Sequence, residues 1–99
     1  GNSIRAWDTS CVFFKTEFGG DIQNILVDGN WLRNQAGKQT SVATYVYSVN
    51  GTCRNITYSN NFIERGANGY IAYNTAGDRT QTTWTNNRDV ITGAVIPKP

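Results

Sequence analysis

The chain contains no histidine, so it lacks the commonest general base and metal ligand of protein active sites. A Ser–His–Asp or Cys–His catalytic arrangement is therefore excluded. The two cysteines supply too few soft ligands for a zinc site. Glu17 and Glu64 occupy comparable positions in the two halves of the chain, which leaves a carboxylate pair for glycoside hydrolysis as the alternative to two solvated turn residues. We expect a protein without enzymatic activity and without a required cofactor.

The sequence also lacks any block of like charge and any long apolar run. Nine Lys and Arg residues and seven acidic residues give a formal charge of +2 and are spread along the chain. Nucleic-acid binding normally needs clustered cations, and a membrane-spanning helix needs about 20 consecutive apolar residues. We therefore expect a monomer that neither binds nucleic acid nor spans a membrane.

Methionine is absent and cysteine is limited to Cys11 and Cys53, whereas Asn and Thr are abundant. In so short a chain this combination is typical of secreted, disulfide-bonded proteins. A bond between Cys11 and Cys53 would close a loop of about forty residues and contribute about 4 kcal/mol in the chain-entropy model. Bonds to partner chains are the alternative. The sequons at Asn50–Thr52 and Asn55–Thr57 are consistent with export, and we expect an extracellular location.

Strong helix formers are scarce, and short runs rich in Val, Ile, Thr and aromatic residues alternate with turn signals. Two Asn-Gly pairs, Asn50-Gly51 and Asn68-Gly69, predict tight hairpin turns, because both central positions of a type I′ turn need positive φ. The hairpin strands predicted on either side of these turns are Ser41–Ser48 with Thr52–Tyr58, and Asn61–Arg65 with Tyr70–Asn74.

Three further segments complete the predicted organisation. Gln23–Leu26 could start a turn of helix, Thr80–Thr85 is polar enough for an edge strand or a loop, and Asp89–Ile96 is typical of a final strand. The regular spacing of turns predicts an all-β fold, a two-sheet Greek-key β-sandwich. We expect one domain at residues 1–96 and a flexible tail at residues 97–99.

The two halves of the chain begin alike, with Ser3–Trp7 and Ser41–Tyr45 each followed by a cysteine and then by a bend. The first bend has the aromatic, acidic, aromatic and glycine order of a folded Greek-key hairpin, and the second follows it loosely. The residues that carry this pattern are Phe13, Glu17, Phe18 and Gly20, and then Tyr58, Asn60, Asn61 and Phe62. The chain thus resembles a microbial βγ-crystallin domain over nearly its whole length.

The resemblance implies a possible calcium site, because many microbial βγ-crystallins bind Ca²⁺ through acidic or amide positions followed by Ser or Thr. The matching positions here are Asp89, Thr92, Thr40 and Ser41. Oxygen ligands suit a hard cation. Lys38 and Arg88 lie beside these positions and raise the electrostatic cost of binding, so the implied calcium site is weak. Turn capping by the same hydroxyls is the alternative.

The aromatic residues are the remaining candidates for function. Alternation along the strands predicts that the core contains Phe13, Phe18, Tyr45, Tyr47 and Phe62. Trp84 differs because its neighbours are all polar, and an exposed Trp can stack on a sugar or anchor a protein contact. The predicted target-binding face comprises Trp84, Asn86, Asn87, Arg88, Tyr70 and Tyr73.

These observations favour a secreted, non-enzymatic protein that acts by binding a protein or glycan target. The crystallin resemblance implies antimicrobial, killer-toxin-like or virulence proteins as the nearest functional class. A weak calcium-binding structural module and a carbohydrate-binding module are the two alternatives.

Overall fold

The computed structural model describes residues 1–99 and confirms the all-β class. It contains eleven strands and one short helix. The strands are β1 (Ser3–Ala6), β2 (Val12–Lys15), β3 (Gly20–Asp28), β4 (Trp31–Asn34), β5 (Thr44–Tyr47), β6 (Gly51–Ser59), β7 (Phe62–Ile63), β8 (Ile71–Tyr73), β9 (Thr82–Thr85), β10 (Asn87–Asp89) and β11 (Val95–Ile96). The helix, α1 (Ala76–Thr80), lies between β8 and β9.

The strands form three sheets in which nearly every pairing is parallel. One sheet contains β1, β4, β7, β10 and β11, the second contains β2, β5 and β8, and the third contains β3, β6 and β9. Only β10 and β11 pair antiparallel. The chain therefore passes the same three sheets repeatedly in the same order, and each coil stacks on the one before. This arrangement is a three-sided parallel β-solenoid.

The predicted hairpins are wrong, and the Greek-key sandwich is not confirmed. The strand within Ser41–Ser48 pairs in parallel with β2 and β8, not with its sequence neighbour β6. The strand within Thr52–Tyr58 pairs with β3 and β9. At Asn68-Gly69 the structure contains a tight turn with an isolated bridge between Gly66 and Gly69, but the strands on either side belong to different sheets. Parallel pairing replaces hairpins because each strand meets its equivalent one coil later.

Other segments differ in type rather than in pairing. The segment Gln23–Leu26, considered as the start of a helical turn, lies inside β3, and the actual helix is at Ala76–Thr80. Thr75 caps that helix by accepting a hydrogen bond from the backbone N–H of Asp78, whose carboxylate in turn accepts one from the N–H of Thr75. Asp89–Ile96 is not a single strand: it contains the last residue of β10, a turn and β11.

One corner of the solenoid is built from a buried stack of three asparagines. Each follows a residue with a left-handed backbone: Asn30 follows Gly29, Asn61 follows Asn60, and Asn87 follows Asn86. The Asn61 Oδ1 accepts from the backbone N–H of Asn30 at 2.8 Å, and its Nδ2 donates to Asn87 Oδ1 at 2.8 Å. These bonds satisfy backbone groups that the turn would otherwise leave buried and unpaired.

The core is made of inward-facing side chains stacked along the solenoid. One cluster centres on Val46, Ile56 and Tyr58, and the other on Leu32 and Ile63. The Tyr58 hydroxyl forms a hydrogen bond of 2.6 Å with the Thr44 hydroxyl, which pairs the one polar end of that ring. The regular inward positions thus supply two core clusters, and only three buried side-chain polar atoms lack a partner.

The two ends of the solenoid differ. Strands β1, β2 and β3 each pair on one side only. At the opposite end β11 folds back onto β10, and Ile96 is buried in the core. The Lys98 Nζ donates to the carbonyls of Arg79 and Thr82 at 2.8 and 2.6 Å, so the tail residues contact α1 and the start of β9.

Both cysteines are free thiols, so the predicted disulfide is wrong. Cys53 lies in the core cluster around Tyr58, whereas Cys11 packs against the cluster around Leu32. Burial raises the pKa of both thiols above their usual range. Cys53 is buried and Cys11 is partly buried, and each acts as a small apolar side chain in this fold.

The chain is compact, with a radius of gyration of 12.7 Å, which fits a single folded monomer. Its one helix has five residues, and no helix reaches the length and apolar character required to span a membrane.

Candidate functional site

The most distinctive surface is a group of aromatic rings on the outer side of the β2–β5–β8 sheet, which we call the aromatic face. It consists of Phe13, Tyr45 and Tyr47. Phe13 is paired in register with Tyr45, and their rings stack with centroids 5.1 Å apart at 19°. The Tyr47 ring meets the Tyr45 ring edge-on at 5.2 Å. Phe13 is 38% exposed, so the prediction that it belongs to the core is wrong.

The next coil leaves one side of the aromatic face open. Tyr45 lies between Phe13 on β2 and Ala72 on β8. Because alanine is small, the side of the Tyr45 ring that faces away from Phe13 has no large neighbour in β8. The stack therefore ends at Tyr45, and no side chain of β8 fills the space beside the Tyr45 ring above Ala72. We call this space the open step.

Polar groups border the aromatic face. The Lys15 ammonium lies 5.9 Å from the Phe13 ring centroid, 5.6 Å from that of Tyr47, and 3.1 Å from a carboxylate oxygen of Glu17. The Asn74 amide donates to the Ser48 carbonyl at 2.7 Å. An apolar platform with a charged and amide border is typical of a surface that binds a partially polar ligand.

A second aromatic pair lies on another side of the solenoid. Trp31 and Phe62 stack with centroids 4.5 Å apart, and Trp31 is 43% exposed. The position next to Phe62 on β10 is Arg88, whose guanidinium donates to the Gly93 carbonyl at 3.0 Å. Phe62 thus has a long side chain beside it, and this pair lacks the open step found at Tyr45.

A cavity of about 310 Å³ lies at the corner between β5 and β6 and beside α1. Eight of its nine lining residues are polar or glycine. The lining residues are Ser48, Thr52, Cys53, Arg54, Thr75, Gly77, Asp78, Thr80 and Gln81. Ser48 directly follows Tyr47, so the cavity adjoins one end of the aromatic face along the chain.

The predicted central binding residue, Trp84, is not the exposed side chain that its polar neighbours suggested. Its ring packs against both core clusters and lies 5.6 Å from the Tyr58 ring. Its indole N–H donates to the Ile96 carbonyl at 2.8 Å. Trp84 therefore closes the core beneath the C-terminal segment.

The structure does not bring the other predicted binding residues onto one face with Trp84. Asn87 is fully buried in the asparagine stack, whereas Asn86 is exposed at the corner. Tyr70 donates its hydroxyl to Asp89 at 2.5 Å. Tyr73 points inward, with its hydroxyl buried and unpaired, and the pKa of Tyr73 is raised by burial. Arg88 lies on the outer side of the sheet that contains Trp31 and Phe62.

The four predicted calcium ligands already have hydrogen-bond partners within the protein. Asp89 accepts from Tyr70 and from the backbone N–H groups of residues 91 and 92, and these bonds hold the pKa of its carboxyl below the usual range. The Thr92 hydroxyl accepts from the N–H of residue 94. Thr40 is buried and donates to Asn34, and Ser41 accepts from the Asn68 amide. No group of three or more His, Cys, Asp or Glu side chains is placed to hold a metal ion.

Comparison with protein-family models, curated proteins and solved structures finds no match to this chain. The resemblance to the βγ-crystallins therefore stays a prediction, as does the calcium site that it implies. In the structure the stretch Phe13–Gly20 is the end of β2 followed by a turn into β3, and Phe18 is 98% exposed.

Sequence reasoning missed both the aromatic face and the cavity. The alternation of Phe13 and Tyr45 with their neighbours was visible, but alternation alone does not say which side of a strand faces inward. The repeat at the corners, where Gly29-Asn30-Trp31, Asn60-Asn61-Phe62 and Asn86-Asn87-Arg88 recur, could have indicated stacked coils, but it does not fix which side of a strand faces inward. Aligning the chain on that repeat places Phe13 and Tyr45 in neighbouring coils.

Proposed function

We propose that this protein is a secreted glycan-binding module, without catalytic activity, that holds a polysaccharide chain on the aromatic face. The observation that carries the proposal is the stacked pair Phe13 and Tyr45, which ends in an open step beside Ala72. In this proposal the target of the binding protein is a glycan.

The chemistry of sugars fits such a surface. A pyranose ring has apolar C–H groups on its faces and hydroxyl groups around its rim. An aromatic ring covers the former, and amide or charged groups at the border bond to the latter. The side chains of Lys15, Glu17 and Asn74 provide such a border.

The scaffold supports the same interpretation. A contiguous group of aromatic rings at the surface of a small monomer is typical of an interaction surface. Here the rings stand on paired strands rather than on a loop, with Phe13, Tyr45 and Ala72 in fixed register. A rigid platform reduces the entropy that binding would otherwise cost.

The Trp31–Phe62 pair is the competing surface, and Arg88 decides between the two. The residue that pairs with Phe62 in the next coil is Arg88, whose long side chain is hydrogen-bonded, whereas the residue that pairs with Tyr45 in the next coil is Ala72. A sugar ring therefore has room to stack at Tyr45 and less room at Phe62.

The test is retention on insoluble polysaccharides (cellulose, chitin, xylan and β-1,3-glucan) followed by titration with oligosaccharides of the polymer retained. We expect Tyr45→Ala to weaken binding at least about tenfold, because one stacking platform is lost. Because Tyr45 also contacts the Phe13 and Tyr47 rings, the variant should melt at a lower temperature, and binding is compared where circular dichroism shows both proteins folded.

Trp31→Ala is the matched control, because it removes an exposed, stacked aromatic ring from a different side of the solenoid. It should leave binding unchanged. The proposed face is wrong if Trp31→Ala alone abolishes retention, and the proposed function is wrong if no polysaccharide retains the wild-type protein.

A further inference from the structure

The cavity at the β5–β6 corner contains a deeply buried carboxylate with an unused oxygen. Asp78 is 2% exposed, and its Oδ2 accepts from the backbone N–H groups of Ser48 at 3.1 Å and Thr75 at 3.2 Å. No protein group donates to its Oδ1, and this oxygen is not completely shielded from solvent. Asp78 lines the cavity, so this oxygen is available to a donor within it.

Unused donors line the same cavity. Arg54 donates only from Nε, to the Thr52 hydroxyl at 3.2 Å, which leaves both terminal guanidinium nitrogens free. Gln81 accepts through Oε1 from the backbone N–H of Asn55 at 3.2 Å, which leaves its amide NH₂ free. The cavity therefore presents one strong acceptor and several donors to a ligand.

The charges and the size of the cavity point to the chemical class of the ligand. One carboxylate, Asp78, and one guanidinium, Arg54, line it, and the other polar groups are hydroxyls and an amide. A neutral polyol can form hydrogen bonds with both charged groups and is repelled by neither, whereas an anion is repelled by Asp78 and a cation by Arg54. A volume of about 310 Å³ is at the lower end of small-ligand sites.

We infer that this cavity takes the terminal, neutral sugar residue of the glycan that lies along the aromatic face. The inference rests on the proposed function. Its further support is continuity: Ser48 of the cavity directly follows Tyr47 of the aromatic face, and Asn74 at the border bonds to the Ser48 carbonyl. A chain end in the cavity would leave the next residues of the glycan beside the aromatic rings.

Cys53 provides a reporter, because it is the one thiol that lines the cavity. The residue is only 3% exposed, so its alkylation reports openings of the cavity wall, which a bound sugar should suppress. In a Cys11→Ser variant of the full chain, the rate of Cys53 alkylation is measured with and without glucose, galactose, mannose, xylose or N-acetylglucosamine. We expect at least one of these neutral sugars to slow alkylation at least about fivefold, and glucuronic and galacturonic acid to have no effect.

Arg54→Met tests the cavity, and Arg65→Met is its matched control. Arg65 is an exposed arginine that bonds only to a neighbouring carbonyl and does not line the cavity. Arg54→Met should abolish the protection of Cys53 and weaken oligosaccharide binding about tenfold, whereas Arg65→Met should change neither.

The outcomes separate the two proposals. If Tyr45→Ala abolishes polysaccharide binding while no monosaccharide protects Cys53 and Arg54→Met binds normally, the cavity inference is wrong and the proposed function stands. Protection by either uronic acid but by none of the neutral sugars also overturns the inference. If a monosaccharide protects Cys53 but Tyr45→Ala binds polymer normally, the cavity is supported and the aromatic face is not.

Discussion

Removing the central asparagine of the buried stack should destabilise the protein more than any exposed amide could. The Asn61 side chain is 1% exposed and forms four hydrogen bonds. Its oxygen accepts from the backbone N–H and the side-chain amide of Asn30 at 2.8 and 3.2 Å, and its NH₂ donates to the Val27 carbonyl and to Asn87 at 2.8 Å each.

The magnitude follows from the partners left behind. Asn61→Ala leaves the Asn30 N–H and the Val27 carbonyl buried without this partner and removes one of the two donors to Asn87 Oδ1. A buried group that loses its hydrogen bond costs about 1–3 kcal/mol, so we expect a loss of about 3–5 kcal/mol in the free energy of unfolding. A domain of this size has about 5–15 kcal/mol in total.

Urea denaturation followed by circular dichroism measures this loss, and Asn50→Ala is the matched control. Asn50 is exposed and forms a single amide hydrogen bond, to the Glu17 carbonyl at 2.8 Å, so its loss should cost less than about 1 kcal/mol. Asn61→Asp separates hydrogen bonding from packing, because aspartate keeps the shape of the side chain but replaces the NH₂ donor with an acceptor oxygen. It should also be strongly destabilised at neutral pH. Equal stability of Asn61→Ala and Asn50→Ala would refute the argument.

Three further predictions concern residues for which the structure shows surroundings other than those predicted from the sequence. Trp84→Ala should lower the free energy of unfolding by about 3 kcal/mol in urea denaturation, because Trp84 packs on both core clusters. An unchanged free energy of unfolding would show that Trp84 is not part of the core. Tyr70 holds the pKa of Asp89 low, so the pair stabilises the fold above about pH 4 and this contribution disappears as the pH falls through the lowered pKa. Tyr70→Phe should therefore destabilise the protein at pH 6 and much less at pH 2, and an equal loss at both pH values would contradict this. Because Cys11 and Cys53 are free, a reductant should leave the melting temperature unchanged, and a thiol reagent should titrate both in denaturant; a single disulfide in the mass spectrum would contradict this.

The positions of most strands could be predicted from the sequence, but their partners could not. Asn50-Gly51 has the composition of a hairpin turn, yet neither residue has positive φ in the structure. Gly51 is needed for another reason: a Cβ there would lie 1.7 Å from the Gly20 carbonyl oxygen of the coil before. A close approach between coils and a left-handed turn both require glycine, and the local sequence does not distinguish them.

The candidate site was less predictable than the strands, because the side of a strand that faces inward depends on pairing. Phe13 and Tyr45 alternate with Phe14 and Val46, and either pair is apolar enough for a core. Only the parallel register with β8, which places Tyr73 beside Val46 and Ala72 beside Tyr45, shows which pair is buried. The cavity depends on α1 and on the β5–β6 corner, which are distant in sequence, so no motif indicates it.

The most direct test of the glycan-binding account is a backbone ¹H–¹⁵N NMR titration of the wild-type chain with an oligosaccharide of the polymer that retains it. The account predicts that the shifted amide resonances map to β2, β5 and β8 around Phe13, Tyr45 and Tyr47, and extend to the corner at Ser48. Shifts confined to the strands around Trp31 and Phe62, or no saturable shifts at all, would contradict it.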